Sequence, residues 1–261
     1  MIGPGISGYL RLIRFPYHVT FASVILGAFV SRKAMTSGTV LEMVLLYLTF
    51  NLLLYGGIYT MNAVADIESD RRHPLKKNRP LPSGAVGLKE ARLFSFALIC
   101  GGLIGSFILF STSIFIAHLA AFTLNVFYTY RAKHVIYLEI IANSVTHPLR
   151  LLLGALLVGG LIPFAFLLAF FFFAFGLAVL RRMVEREVDG WQARTALVGY
   201  SGRALFLLRL SGLLALLPFV ILDSTVPFVC YLSMIIAYIM LVLGTNHLGP
   251  VKCYFVRIWT R

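Results

Sequence analysis

Charge is scarce in this chain. Only 13% of its 261 residues are charged and 59% are hydrophobic, where a soluble domain carries about 25% charged residues. With a mean hydropathy of +0.89, this deficit excludes an ordinary water-soluble domain and implies a polytopic membrane protein. Cysteine is scarce too. Cys100, Cys230 and Cys253 have neither metal-ligand spacing nor a disulfide framework, and they read as small apolar fillers in a reducing setting. No cleavable signal sequence with a small-residue cleavage site is expected, because the N-terminus runs straight into the first apolar segment. The net charge of +13 would suit nucleic acid in a soluble protein. In a membrane protein it reflects cytoplasmic loops, and no nucleic-acid partner is expected.

What is present in abundance is apolar runs of spanning length, roughly 20 residues. They fall near 15–33, 40–63, 91–110, 112–130, 136–159, 161–180, 203–222 and 226–248, which predicts eight transmembrane helices. Alternating these from an inside N-terminus places 20 of the 23 Lys and Arg on one face. The other face receives only Arg32 and Lys33, and Arg150 lies within a span. By the positive-inside rule the charge-rich face is cytoplasmic, and both long charged loops lie on it.

One of these loops begins as "MNAVADIESDRRHPLKKNRPLPSG", residues 61–84. At α-helical pitch, Asn51, Tyr55, Tyr59, Asn62, Asp66 and Asp70 fall within about 100° of one another. Polar groups in a span normally face the bundle interior, and Asn51 with Tyr55 would also serve as a helix–helix seam. Asp66 and Asp70 are like charges one turn apart, an arrangement best tolerated with a cation between them. Hard oxygen donors at this spacing suit Mg²⁺, which takes one or two carboxylates and fills its other positions with water and phosphate. Arg71, Arg72, Lys76, Lys77 and Arg79 offer donors to phosphate oxygens, besides satisfying topology. Pro80, Pro82 and Gly84 break the helix and let the loop fold back.

The sixth span ends in "LRRMVEREVDGWQART", residues 180–195, where Glu185 and Asp189 repeat the i, i+4 spacing among Arg181, Arg182, Arg186 and Arg194. Alone, this is an ordinary charge ladder on a solvated turn. Its position, at the cytoplasmic end of an even-numbered span, matches that of the first pair. "LGA" also recurs at Leu26–Ala28 and Leu153–Ala155. Both features suggest a single domain over 1–261 built from duplicated four-helix halves, about 10–134 and 135–249, whose acidic pairs face one central cavity. On the fifth span Glu139, Asn143, His147 and Arg150 share a face, with His147 read as structural. Asn125, Tyr128 and "YRAKH" close the fourth span on the cytoplasmic side.

These motifs resemble the UbiA superfamily of intramembrane prenyltransferases, of which 4-hydroxybenzoate polyprenyltransferases are typical. "NAVADIESD" matches the first N-x-x-x-D-x-x-x-D motif in full, and "KNRPLPSG" is similar to the N-R-P-(L/I)-x-S-G that follows it. "FYTYRAKH" and "HPLRLLLGALLVG" resemble the loop after the fourth helix and the fifth helix, so the likeness runs from residue 9 to about 200. It implies an all-helical bundle around a cavity in which two acidic motifs hold Mg²⁺ and an isoprenoid diphosphate. The second motif departs from the family's D-x-x-x-D, and nine spans are usual where eight are read here. "HPLKKNRP" is also similar to the branch that transfers phosphoribose to a polyprenyl phosphate.

The resulting expectation is an all-α, multi-pass, Mg²⁺-dependent transferase. It moves a polyprenyl group from its diphosphate to a small aromatic or lipid acceptor, as in quinone or lipid biosynthesis. Asp66, Asp70, Glu185 and Asp189 are expected to be catalytic and, with Asn62, to hold the metal. Lys76, Lys77, Arg79, Lys133 and Arg194 would clamp the diphosphate, and Asn125, Tyr128 and Arg150 would place the acceptor. Phosphoribosyl transfer is the alternative, followed by a transporter, whose coupling sites belong nearer the bilayer midplane, or a non-catalytic scaffold. The topology is testable. Cysteines at Ser83 and Ser201 should react with a membrane-impermeant thiol reagent only once the inner face is opened; labelling of either in intact cells would refute it.

Overall fold

The computed structural model describes residues 5–31, 33, 36–189, 199–223, 225–244, 249 and 253. Their regular structure is all helical, with no strand among the described residues. Eleven α-helices are used below: α1 Ile6–Ile13, α2 Ala22–Val30, α3 Ser37–Leu46, α4 Gly56–Ala65, α5 Ile67–Arg72, α6 Leu88–Leu109, α7 Thr112–Tyr130, α8 Leu138–Leu157, α9 Phe164–Asp189, α10 Gly202–Leu222 and α11 Phe228–Tyr238. Seven stretches are long and apolar enough to cross a membrane, beginning with Ile6–Val30 and ending with Gly202–Leu222. An eighth apolar helix, Phe228–Leu243, is shorter. The eight apolar runs of the sequence therefore correspond to seven full spans and this shorter element, and the chain is an integral, multi-pass membrane protein.

The chain divides into two compact units, residues 1–130 with 153–160, and residues 131–152 with 161–260. In the first, polarity is turned inward: Thr49, Asn51, Thr60, Ser95, Ser106 and His118 are buried, while Phe96, Phe107, Ile108 and Leu93 are exposed. This is the arrangement expected where the surrounding solvent is hydrocarbon. Glycine brings the second and third spans together. A Cβ at Gly102 would meet the Leu54 nitrogen and the Thr49 carbonyl oxygen at 2.8 Å, and one at Gly57 would meet the Ile99 nitrogen at 2.9 Å. The Ser95 hydroxyl donates to the Gly57 carbonyl at 2.8 Å across the same contact, a small-residue interface of the kind that drives helix association in lipid.

The second span is not one uniform α-helix. Residues Tyr47–Tyr55 wind as a π-helix between α3 and α4, where Thr49 Oγ1 donates to the Leu45 carbonyl at 3.1 Å and lies 3.4 Å from His118 Nε2. The wider winding changes the pitch on which the six-residue polar stripe was counted. Asn51 and Tyr55 are nevertheless both buried.

In the second unit, α9 and α10 pack against each other with α11 beside them. Tyr238 of α11 fills the space that side chains at Gly176 and Gly212 would occupy, and its hydroxyl donates to the Arg209 carbonyl at 2.6 Å. Pro148 lies inside α8, which continues through it. Nearby polar side chains answer the carbonyls of that helix: the Ser144 hydroxyl donates to Ile140 at 2.6 Å, Thr146 to Asn143 at 2.7 Å, and Arg150 Nη1 to Thr146 at 3.2 Å. Replacing Gly102 by Val tests the tight interface in the first unit. Overpacking against backbone should cost about 1–3 kcal/mol, seen as a lower unfolding midpoint in detergent, whereas Gly101→Ala, 3.7 Å from its nearest neighbour, should leave the midpoint near that of the wild type.

Candidate active site

The acidic stretch lies where the second span ends. Helix α4 stops at Asp66, whose backbone (φ −94°, ψ 1°) has left the helical region, and α5 resumes at Ile67. That conformation is typical of turns and of functional residues. The four-residue register survives the break. The Asp66 amide donates to the Asn62 carbonyl at 3.0 Å and the Asp70 amide to the Asp66 carbonyl at 2.8 Å. Asn62, Asp66 and Asp70 thus stand on three consecutive turns, as their spacing predicts.

Their surroundings are built by the loop that follows. Asp70 is buried and accepts from Arg79 Nη1 at 2.8 Å, with side-chain exposures of 6% and 12%. The loop is held by Leu81 and Val86, which pack with Leu12, Ala63, Ile67 and Ala91 in one apolar cluster. It closes through Gly84 at φ +77°, a left-handed position that favours glycine. Buried His73 accepts at Nδ1 from the Leu75 amide (3.1 Å) and the Lys76 amide (3.2 Å), which turns the chain after α5. Its Nε2 therefore carries the proton. Lys76 is buried and Lys77 exposed, so of the basic residues placed in the diphosphate clamp, Lys76 and Arg79 lie on the folded side of this loop.

On α7, Thr129 Oγ1 reaches both Asn62 Oδ1 and the Asn125 carbonyl. Asn125 Nδ2 donates to the Tyr55 hydroxyl at 3.2 Å and to the Ala121 carbonyl at 2.8 Å. The fourth span is thereby tied to the polar stripe of the second, and Asn125 is part of that tie. Tyr128 is half-buried. The sequence reading missed Thr129 and His73. The i, i+4 pair Asn125/Thr129 was a usable signal for the first, and the His-Pro turn for the second.

The second unit carries the other motif. Glu185 is buried, with Arg181 Nε 2.9 Å from Oε1 and Arg182 Nη1 against Oε2. Arg182 also pairs with Glu139 of α8 at 3.1 Å, both side chains 2% exposed. Burial foremost pushes the Tyr200 phenol up to about 12, with Glu139 close by, and the Tyr200 hydroxyl accepts from the Tyr137 amide at 2.7 Å. Glu187 is exposed. Lys133 and Arg150 are buried. The Asp189 side chain and Arg194 lie outside the described residues.

Whether these oxygens suit Mg²⁺ depends on what already holds them. Asn62, Asp66 and Asp70 form a hard-oxygen ladder with two carboxylates, which fits an ion that completes its shell with water and phosphate. Among the described residues no three His, Cys, Asp or Glu side chains group as a metal cage, so such an ion would depend on those added oxygens. Glu185 differs, because each of its oxygens faces a guanidinium.

An all-helical, multi-pass membrane protein with a carboxylate ladder at the end of its second span is the class that fold and site define. The chain belongs to the UbiA prenyltransferase family, whose model matches residues 20–253. A UbiA homolog from Archaeoglobus fulgidus, solved bound to GPP and Mg²⁺, has the same fold, with a TM-score of 0.77, 19% identity, and coverage of 97% of this chain and 98% of that one. A digeranylgeranylglyceryl phosphate synthase of Sulfolobus acidocaldarius is 36% identical over 99 residues, 38% of this chain and 34% of its own. An uncharacterised protein of Sinorhizobium fredii is 29% identical over 142 residues, 52% of this chain and 27% of its own. The chain spans about a quarter to a third of the length of these curated relatives.

The His73 turn makes a local prediction. His73→Ala removes the acceptor of two amides, each bond worth about 1 kcal/mol. The Leu75 and Lys76 amides should then exchange with solvent roughly five- to ten-fold faster, read by hydrogen-exchange mass spectrometry, while peptides from α6 keep their rates.

Proposed function

We propose that the protein transfers a polyprenyl group from its diphosphate to a small aromatic or lipid acceptor within the membrane, and that the acidic motifs lie on the cytoplasmic side. The observation that carries this reading is the ladder of Asn62, Asp66 and Asp70 on consecutive turns, beside a folded basic loop. Asn62, Asp66 and Asp70 would hold Mg²⁺, which when bound neutralises the charge that grows on the leaving diphosphate. The chain's own part is electrostatic and positional. Thr129 orients Asn62, Arg79 orients Asp70, and the fold of residues 76–86 keeps Lys76 and Arg79 at the donor's phosphates. Apolar side chains around the spans keep water from an allylic cation.

Lys77, Lys133 and Arg194 remain proposed phosphate contacts, and Asn125, Tyr128 and Arg150 proposed acceptor contacts. The structure bound to GPP and Mg²⁺ supports the donor class. The Sulfolobus acidocaldarius synthase, named for a glyceryl phosphate product, supports a lipid acceptor over an aromatic one. Phosphoribosyl transfer would need additional cationic donors for a sugar phosphate. Of the four arginines that could supply them by sequence, Arg181, Arg182, Arg186 and Arg194, the first two are paired with Glu185 and Glu139, and this favours the prenyl donor.

The test is turnover of radiolabelled prenyl diphosphates of increasing chain length by membranes containing the protein, with Mg²⁺ and either an isoprenyl glyceryl phosphate or a hydroxybenzoate. Label should reach the lipid product. Asp66→Ala and Asp70→Ala should each lower turnover by about 100-fold or more, the scale of losing one electrostatic contact to developing charge. The exposed Glu187→Ala should stay near wild type. Label reaching product only from phosphoribosyl diphosphate plus a polyprenyl phosphate would overturn the prenyl reading.

A further inference from the structure

Within the second unit, five side chains form one connected polar chain. Tyr200 stands beside Glu139, Glu139 forms an ion pair with Arg182, Arg182 reaches Glu185, and Glu185 accepts from Arg181. Glu139 lies on α8, the two arginines and Glu185 on the last turns of α9, and Tyr200 just before α10. Within this chain two carboxylates face two guanidinium groups. All but Arg181 are at most 5% exposed, with Arg181 at 20% on its side chain. Beside the chain, Ile140, Val179, Tyr200 and Leu205 close an apolar cluster, so water is poorly placed to replace any of these partners.

The Tyr200 end is anchored firmly. Tyr137 adopts φ 66°, costly for a non-glycine residue. Its amide nevertheless donates to Tyr200 at 2.7 Å, and the two rings pack edge to face at 5.4 Å. A backbone held in this way indicates that the surrounding contacts determine the position.

We propose that Glu185 serves as an arginine-neutralised brace joining the end of α9 to α8, and is not a ligand of the divalent cation. A cation on either Glu185 oxygen would sit within a few ångströms of two guanidinium groups that are always charged. In a poorly hydrated site that repulsion is screened little. Arg182 has little freedom to withdraw, because Glu139 holds it from the neighbouring helix. Glu139 and Arg182 are therefore positioning residues for Glu185, and divalent-cation affinity resides in Asn62, Asp66 and Asp70. This inference rests on the metal reading of the first motif.

The experiment uses the full-length chain in detergent, with Mn²⁺ alone as the probe, followed by electron paramagnetic resonance. Asp70→Asn should weaken Mn²⁺ binding about ten-fold or more and Glu185→Gln by less than about two-fold. A loss in Glu185→Gln equal to that in Asp70→Asn overturns the proposal. Thermal unfolding gives a reading independent of metal. Glu139→Gln and Glu185→Gln should each lower the midpoint, and the double variant should fall by clearly less or more than the two shifts combined, because both act on Arg182. Additive shifts overturn the brace. If the wild-type chain binds no Mn²⁺, either alone or with inorganic diphosphate added, the metal reading of the first motif fails, and the unfolding cycle alone decides the brace.

Discussion

Two carboxylates one helical turn apart repel each other, and Asp70, the buried member of the pair, has little water to relieve it. Much of the structure between residues 56 and 86 answers that repulsion. Asp70 is buried against Arg79, and Arg79 can reach it only because the chain reverses after α5. That reversal depends in turn on His73 accepting two amides and on Leu81 and Val86 finding an apolar bed. Without the loop, Asp70 would be a buried charge lacking a partner, which a folded protein tolerates poorly.

The same need is met differently at the second motif. There Glu185 is paired with two arginines of its own helix, one of which also pairs with Glu139 of α8. Asp70 and Glu185, one from each acidic pair, therefore have different electrostatic settings. At the first motif Arg79 meets Asp70; at the second, Arg181 and Arg182 meet Glu185, and Arg182 also meets Glu139.

Polar seams inside the spans do the complementary work of holding helices where hydrophobic driving force is weak. Asn125, Thr129, Tyr55 and Asn62 link the second and fourth spans, and Ser95 with Gly57 and Gly102 links the second and third. The π-helix of residues Tyr47–Tyr55 lies on both seams. Its placement suits a segment that must present Thr49 to His118 and Tyr55 to Asn125.

By itself the sequence determined the membrane class, the spans and the ladder. Those properties depend on hydropathy over about 20 residues and on four-residue periodicity, both local quantities. Asn62, Asp66 and Asp70 stand on successive turns because backbone hydrogen bonds link each to the next. Tertiary structure decided which charges pair. Arg79, rather than its basic neighbours, reaches Asp70 because the loop folds back; Lys77 points outward because it sits on the other side of that turn. The pairing of Glu139 with Arg182 joins two helices far apart in the chain, and no local pattern encodes it. Ion pairs of this kind depend on distance and burial, which exist only once the helices have packed.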